Sequence, residues 1–382
     1  MAPGVIYLDH HATTPCDAAV VEAMAPWWRE HCGNPSSRSH RPGLEAAAAV
    51  ELARSQIATA LGVQTSAVVF TSGATEANNL AIKGLAEAEL HSGGRRRRLV
   101  CLSTEHRAVL DPLRYLAGHG FELISLQPQD DGLVDLERLE SVLDEGTLLL
   151  SVMAANNEIG VLQPLSAIAA LCQPKGIRLH CDGAQAVGHI PLLPGKLGLD
   201  LLSFSGHKVY GPKGIGALVI APGVTLLPQL HGGSQEGGLR AGTLPVPLIV
   251  GLAKALELAL TDRMERSQRL GALRDALWEQ CQQIGAIERN GAACPRLAHN
   301  LNVTVHGVDG AALHRALRRE LAVSSGSACS SGEPSHVLQA LGRSRQEAAA
   351  SIRFGLGRGT RSADISQAGA LLRGCVEELR TH

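Results

Sequence analysis

Aromatic residues make up only 3% of this 382-residue chain. Few flat side chains are therefore on offer for stacking against bases. Net charge is also missing: 35 Lys and Arg against 36 Asp and Glu leave a formal −1. That gives no electrostatic footprint for a polyanion, and no direct nucleic-acid partner is expected. No run of 18 or more apolar residues occurs, so no membrane span is expected. Nine cysteines contain no Cys-x-x-Cys pair. An odd count without such pairs supports neither a disulfide framework nor a zinc ribbon, and no metal is expected. Residues 1–8 lack a basic stretch followed by an apolar one. No signal peptide is expected, and a reducing, cytoplasmic setting is.

What is present suits a packed chain of two or three domains, taking roughly 100–200 residues per domain. Hydrophobic residues reach 45% and charged ones 19%, which permits a sizeable core and excludes wholesale disorder. Glycine is abundant, 42 residues, about 11% against a usual value of about 7%. Many tight turns and close backbone approaches are implied. Lysine is rare, six residues against 29 arginines, so each lysine position carries information.

Short, nearly continuous apolar runs recur at 68–71, 99–103, 121–126, 148–152, 179–182, 199–204 and 216–220. Helical patterns lie between them, as at 45–61, closed by Gly62, and at 76–83. Such alternation predicts an α/β fold with a mostly parallel sheet buried on both faces by flanking helices. After about residue 256 the pattern changes. Leu270, Leu273, Leu277, Cys281 and Ile284 mark one face of a long helix. Alternating strands follow around Leu301–Val305 and Ile352–Leu356. We therefore expect a large domain over 14–256, and a smaller α+β domain from 1–13 and 257–382. The basic run Arg95–Arg98 reads as a solvated turn or a docking patch.

Ligands of open α/β sheets bind beyond the carboxyl ends of the strands. Five predicted strands deliver polar residues there: Ser72 to Thr75, Thr104 to His106, Asn156 and Asn157, Asp182 with Gln185, and Ser205 to Lys208. One convergent pocket is implied. Ser72-Gly73-Ala74-Thr75-Glu76 is a phosphate cradle by its small residues before a helix, or a plain helix cap. Asp182 could face a protonated ring nitrogen, as in pyridoxal-phosphate chemistry, or simply close a turn before Gly183. Lys208 follows a buried strand in a chain that elsewhere uses Arg. Lysine can form a Schiff base and arginine cannot. Lys213 is its nearest rival, and a surface turn is the plainer reading. Arg353, between Ile352 and Phe354, could clamp a carboxylate or lie exposed on an edge strand. Cys329 sits in the small, polar stretch Ser324 to Pro334, where an accessible thiol suits a nucleophile. The other eight cysteines are expected to be buried and inert. His10-His11 read as pocket-wall or helix-start residues, because adjacent positions rarely point the same way onto a metal.

These landmarks combine with others: Tyr7-Leu8-Asp9, Ala12-Thr13-Thr14-Pro15, Gly33-Asn34-Pro35-Ser36-Ser37, Asn156-Asn157-Glu158-Ile159-Gly160 and Arg240-x-Gly242-Thr243. Together they span nearly the whole chain. The sequence resembles the iron–sulfur-cluster type of cysteine desulfurase, in the class V aminotransferase group of fold type I pyridoxal-phosphate enzymes. The resemblance implies that Ala74, Thr75, Ser205 and His207 hold the cofactor phosphate. Thr243 would reach the phosphate in the other subunit of a homodimer. His106 would stack on the ring and handle protons. Asp182 would meet the ring nitrogen and Gln185 the ring hydroxyl. Asn157 would line the cofactor and substrate site, Lys208 would carry the cofactor, and Arg353 would bind the substrate carboxylate. Cys329 would take sulfur from L-cysteine as a persulfide, releasing L-alanine, and pass it to an iron–sulfur scaffold or another acceptor protein. A selenocysteine lyase or another class V aminotransferase or lyase is the alternative. Only three residues separate Cys329 from Glu333, a shorter stretch than in many members of that group.

Overall fold

A computed structural model describes residues 4–325 and 334–381. Its centre is a seven-stranded sheet. In chain order the strands are β1 Val68–Thr71, β2 Arg98–Leu102, β3 Glu122–Leu126, β4 Thr147–Ser151, β5 Arg178–Asp182, β6 Leu201–Ser205 and β7 Gly216–Ile220. They lie in the order β1-β7-β6-β5-β4-β2-β3. β7 runs antiparallel to both its neighbours, and all other pairings are parallel. Strand ends fall within two residues of the runs seen in the sequence.

Burial on both faces explains why these strands are apolar without alternation. Val100, Leu150, Leu202 and Phe204 pack into one hydrophobic cluster, with Ile57 of helix α1 (Arg41–Leu61). Leu99, Leu149, Leu201 and Leu218 pack into another, with Ile82 of helix α2 (Ala74–His91) and Leu113 of helix α3 (Arg107–Ala117). Gly62 ends α1 in the left-handed conformation, φ 66°, as a C-cap glycine does. α2 is much longer than the pattern over 76–83 suggested. Its alanine-rich turns have high helix propensity but only a weak apolar stripe.

Helix α4 (Val246–Thr261) packs on α1, and at Asp262 the chain turns into helix α5 (Arg263–Ile284). Leu270, Leu277 and Cys281 of α5 enter a separate cluster with Leu8, Leu301, Ile352 and Phe354. That cluster covers a small antiparallel sheet, β10-β9-β8, of β8 Ile287–Arg289, β9 Asn300–Val305 and β10 Ser351–Gly355. Among the described residues no helix is long and apolar enough to cross a membrane.

Two expectations need correction. Arg95–Arg98 is no free basic patch. Arg95 is exposed in the loop before β2, but Arg96 donates to the carbonyls of Thr147, Lys175 and Gly176, and Arg98 pairs with Glu122 and Asp144, so these two tie strand ends together. Of the eight cysteines expected to be buried, only Cys101, Cys172, Cys181 and Cys281 are; Cys16, Cys32 and Cys294 are exposed and Cys375 is intermediate. The four buried ones lie on strands or on inward faces of helices, and the exposed three lie in loops.

Candidate active site

Because β1, β2, β4, β5 and β6 are parallel, their carboxyl ends share one edge of the sheet. A cavity of about 480 Å³ opens there. Ala74, Thr75, His106, Asn157 and Asp182 line it. So do Gln185, Ser205, His207, Lys208 and Arg353. Thr243 does not; it is exposed on this chain. Cys329 lies outside the described residues.

One end of the cavity is the start of α2. Gly73 has φ 152° and ψ 179°, a region that is essentially open to glycine alone. This kink turns the chain from β1 straight into an 18-residue helix whose first N–H groups face the cavity wall. A helix start of this kind favours an anion. Glu76, which would oppose one, is tied to Arg240 at 2.8 Å and accepts the Ser72 N–H at 2.7 Å. His207 meets Thr13 Oγ1 through Nδ1 at 3.2 Å. Burial, then Lys208 and Lys213, push its pKa down to about 4.

Asp182 ends β5, 6% exposed. Its Oδ1 accepts the Ala184 N–H at 2.9 Å and its Oδ2 accepts Asn78 Nδ2 at 2.8 Å. The carboxylate closes the turn before Ala184 and also lines the cavity. Gln185 Oε1 lies 2.9 Å from His11 Nδ1, and Asn300 Nδ2 lies 3.1 Å from His11 Nε2. Neutral imidazole has one donor and one acceptor nitrogen, so Nδ1–H donates to Gln185 and Nε2 accepts from Asn300. Burial, then the Arg353 charge, hold His11 well below the usual histidine range. His11 is thus a pocket-wall residue. His106 caps α3: its Nδ1 accepts the Ala108 N–H at 3.1 Å.

Lys208 sits on the single turn that follows β6. Its Nζ donates to the carbonyls of His11 at 2.5 Å and Ala12 at 2.9 Å. The amine therefore points inward, not into bulk water. Lys213 also lines the cavity. Arg353 is 1% exposed, so the surface-edge reading fails. β10 is an edge strand, but residues 8–11 and 156–158 cover it. Its guanidinium donates to Asp9 Oδ1 and the Asn157 carbonyl, each at 2.9 Å. Asn157 Oδ1 is buried with no partner among the described residues.

The residues flanking the undescribed stretch are anchored to this wall. Ser324 and Arg353 exchange backbone hydrogen bonds of 2.7 and 3.3 Å. Ser335 Oγ donates to the buried Glu158 carboxylate, and His336 Nε2 lies 3.0 Å from the Glu105 carbonyl. Asn78 supports the site without having been singled out in the sequence, and Glu105 and Glu158 were named there only within motifs, with no role given. Asn78 offered a signal, a polar residue four positions after Ala74 on an otherwise alanine-rich helix.

The class-V aminotransferase family model matches residues 6–367. Cysteine desulfurase IscS of Dechloromonas aromatica (strain RCB) is 47% identical over 379 residues, covering 98% of this chain and 93% of that one. The same enzyme of Rickettsia akari (strain Hartford) is 44% identical over 380 residues, covering 98% and 92%. A solved NifS-like protein superposes with a TM-score of 0.92 at 36% identity, covering 98% of this chain and all of that one. A structure described as SspA in complex with cysteine gives 0.81 at 37% identity, covering 92% and 99%. With the family model and full-length relatives in agreement, the chain belongs to the class-V aminotransferase family, in its cysteine desulfurase branch.

Proposed function

We propose that this protein is a pyridoxal-phosphate-dependent cysteine desulfurase, converting L-cysteine to L-alanine with a persulfide formed on Cys329. The observation that carries the reading is the placement of Lys208, Asp182, Arg353 and the start of α2 around one cavity. The family depends on pyridoxal phosphate, and the residues present suit it. The Gly73 kink leaves a side-chain-free approach to the helix start for a phosphate, and Ser205 and His207 flank it. The Asn157 Oδ1 atom is buried without a partner among the described residues, which suits a donor from a bound group.

When bound, the cofactor supplies an electron sink for the substrate Cα. The chain's own residues do the rest. Asp182, oriented by Asn78, would hold a positive charge on the ring nitrogen, and Gln185 would hold the ring hydroxyl. His106 would cover the ring. Lys208 would hold the cofactor in the resting protein and is the group placed to move the Cα proton. Arg353 orients the substrate carboxylate with its paired N–H groups. The Cys329 thiolate attacks the substrate sulfur: an S–S bond forms, the C–S bond breaks, and the former Cβ takes a proton to become the alanine methyl. His106 is the proton donor at that step.

Several finer statements belong to the same proposal. The chain divides into a cofactor-holding unit, 14–256, and a smaller unit, 1–13 and 257–382, with α4 running on to Thr261. Thr243, exposed here, completes the phosphate site of a second copy in a homodimer. The persulfide sulfur passes to an iron–sulfur scaffold or another acceptor protein in the cytoplasm. The test is L-cysteine turnover by purified protein, with alanine and protein persulfide measured. We expect one alanine per sulfur transferred and none with Cys329→Ser. Undiminished alanine and sulfide from Cys329→Ser would overturn the reading.

A further inference from the structure

A second, smaller cavity of about 50 Å³ lies behind the wall of the first: His299 of its lining stacks on His11, and His189 Nε2 is 3.0 Å from the Lys208 carbonyl. It is enclosed by the start of α5, the turn at His189 and Ile190, and the segment Arg296–His299. Its charged lining is one-sided: Arg263, Arg266 and Arg296, with His189 and His299. Arg296 is 8% exposed. Its Nη2 donates to the Ile159 carbonyl at 2.5 Å, and makes longer contacts of 3.3 Å to the Asn290 carbonyl and 3.2 Å to Asn300 Oδ1. Its Nε and Nη1 are buried and have no partner among the described residues. No carboxylate among the described residues forms an ion pair with it; Asp275, the acid that most favours its charge, is engaged by Arg274.

Among the described residues no acid lines this cavity; Asp262 beside it is shared by Arg266 and Arg358. Among the described residues, half-buried Arg263 makes a 3.4 Å contact to the Ile190 carbonyl and no ion pair. The three arginines thus exceed their counter-charge by about two. A buried guanidinium does not shed its proton, so such an excess calls for an anion. Burial, with Arg289 and Arg274 nearby, lowers the Arg296 pKa to about 9, which leaves it charged at neutral pH. Roughly 10–15 Å³ suffices for one water, so this cavity has room for a small tetrahedral ion. Ser267 adds a hydroxyl to the lining.

We propose that this cavity binds a divalent inorganic oxyanion of the sulfate or hydrogenphosphate class. The ion sits between the arginine forks of Arg263 and Arg296. It joins α5 and the Arg296–His299 segment to the turn that carries His189. Chloride, with one charge and no array of acceptors, fits the donors less well.

The experiment uses the cofactor-loaded protein, so that the cofactor's own phosphate site is filled, and the cofactor absorbance is followed throughout. Thermal unfolding and titration calorimetry are run with sodium sulfate, and with sodium chloride at matched ionic strength. Sulfate also stabilises proteins by exclusion from their surface, but that effect rises without saturating. We expect a saturating increase in Tm with a millimolar midpoint and one site per chain. Arg263→Gln should raise that midpoint at least about fivefold, and Arg296→Met should abolish saturation. Should Arg296→Met not fold, Arg263→Gln and Ser267→Ala still read the site. A non-saturating response in the wild type would overturn the proposal. So would a saturating one that Arg263→Gln leaves unchanged, since that would place the ion on Arg353.

Discussion

The Asn78 side-chain amide donates to Asp182 Oδ2 over 2.8 Å, bringing a fully buried residue of α2 against the last residue of β5. The helix whose start lines one end of the cavity therefore also orients the carboxylate that lines it from β5. A hydrogen bond to a charged group contributes about 1.5–3 kcal/mol. Asn78→Ala is expected to lower kcat for L-cysteine by roughly 10- to 100-fold, since about 1.4 kcal/mol is tenfold. Asp182→Asn should cost more. Steady-state kinetics with the cofactor spectrum checks both; a wild-type kcat in Asn78→Ala would refute the link.

Arg353 is pre-aimed by Asp9 and the Asn157 carbonyl. Lysine keeps the charge but loses the paired geometry. Arg353→Lys is expected to raise KM for L-cysteine and lower kcat/KM on the order of 100-fold, about 2.7 kcal/mol. Kinetics against L-cysteine and against its methyl ester separates carboxylate binding from general damage: the ester should respond far less.

Ser335 caps the helix His336–Ala340 through a 3.1 Å bond from the Leu338 N–H and also donates to Glu158. Burial pushes the Glu158 carboxyl up, and the Ser335 bond works against that. Ser335→Ala removes both contacts. We expect a stability loss of about 1–2 kcal/mol by denaturant titration, and slower persulfide formation on Cys329 measured by alkylation. Unchanged values of both would show that the anchor is not used.

Stability should fall with acid, beginning near pH 6.5. His180 is fully buried and His189 is half-buried, and burial lowers each pKa to about 4. In the unfolded chain a histidine titrates near about 6.5. Below that pH the unfolded state binds protons that the native state refuses, so the stability present above pH 6.5 drains as pH falls toward 4. Each such histidine contributes a slope of up to about 1.4 kcal/mol per pH unit. Glu105 and Glu158, raised by burial, act in the opposite sense, because the native state takes up their protons first. The net drop is therefore smaller than the histidine sum. Denaturant midpoints at pH 7.5 and 5 check the direction; an equal or higher midpoint at pH 5 would contradict it.

Much of this architecture was legible because it follows local rules. Buried parallel strands must be apolar on both faces, so runs such as 148–152 stand out. Polar residues directly after them, Asp182 and Lys208 above all, stand out in turn. Arg353 was legible as a residue facing away from Ile352 and Phe354, but not as buried. An alternating pattern gives the face of a strand, and burial depends on what covers that face. Here the covering segments are residues 8–11 and 156–158, hundreds of positions away along the chain.

By itself, then, the sequence determined the strand and helix pattern, the polar residues at the strand ends and the family. Those depend on periodicity, turn chemistry and motif spacing, all of which are local. Only the tertiary structure decided that Asn78 orients Asp182, that His11 is a neutral wall between Gln185 and Asn300, and that Arg296 is buried beside two other arginines. The first joins a helix to the strand it packs on, and the His11 contacts join segments brought together by packing the small sheet against the large one. Hydrogen-bond geometry and missing counter-charge exist only between groups in space, and no period along a chain encodes them.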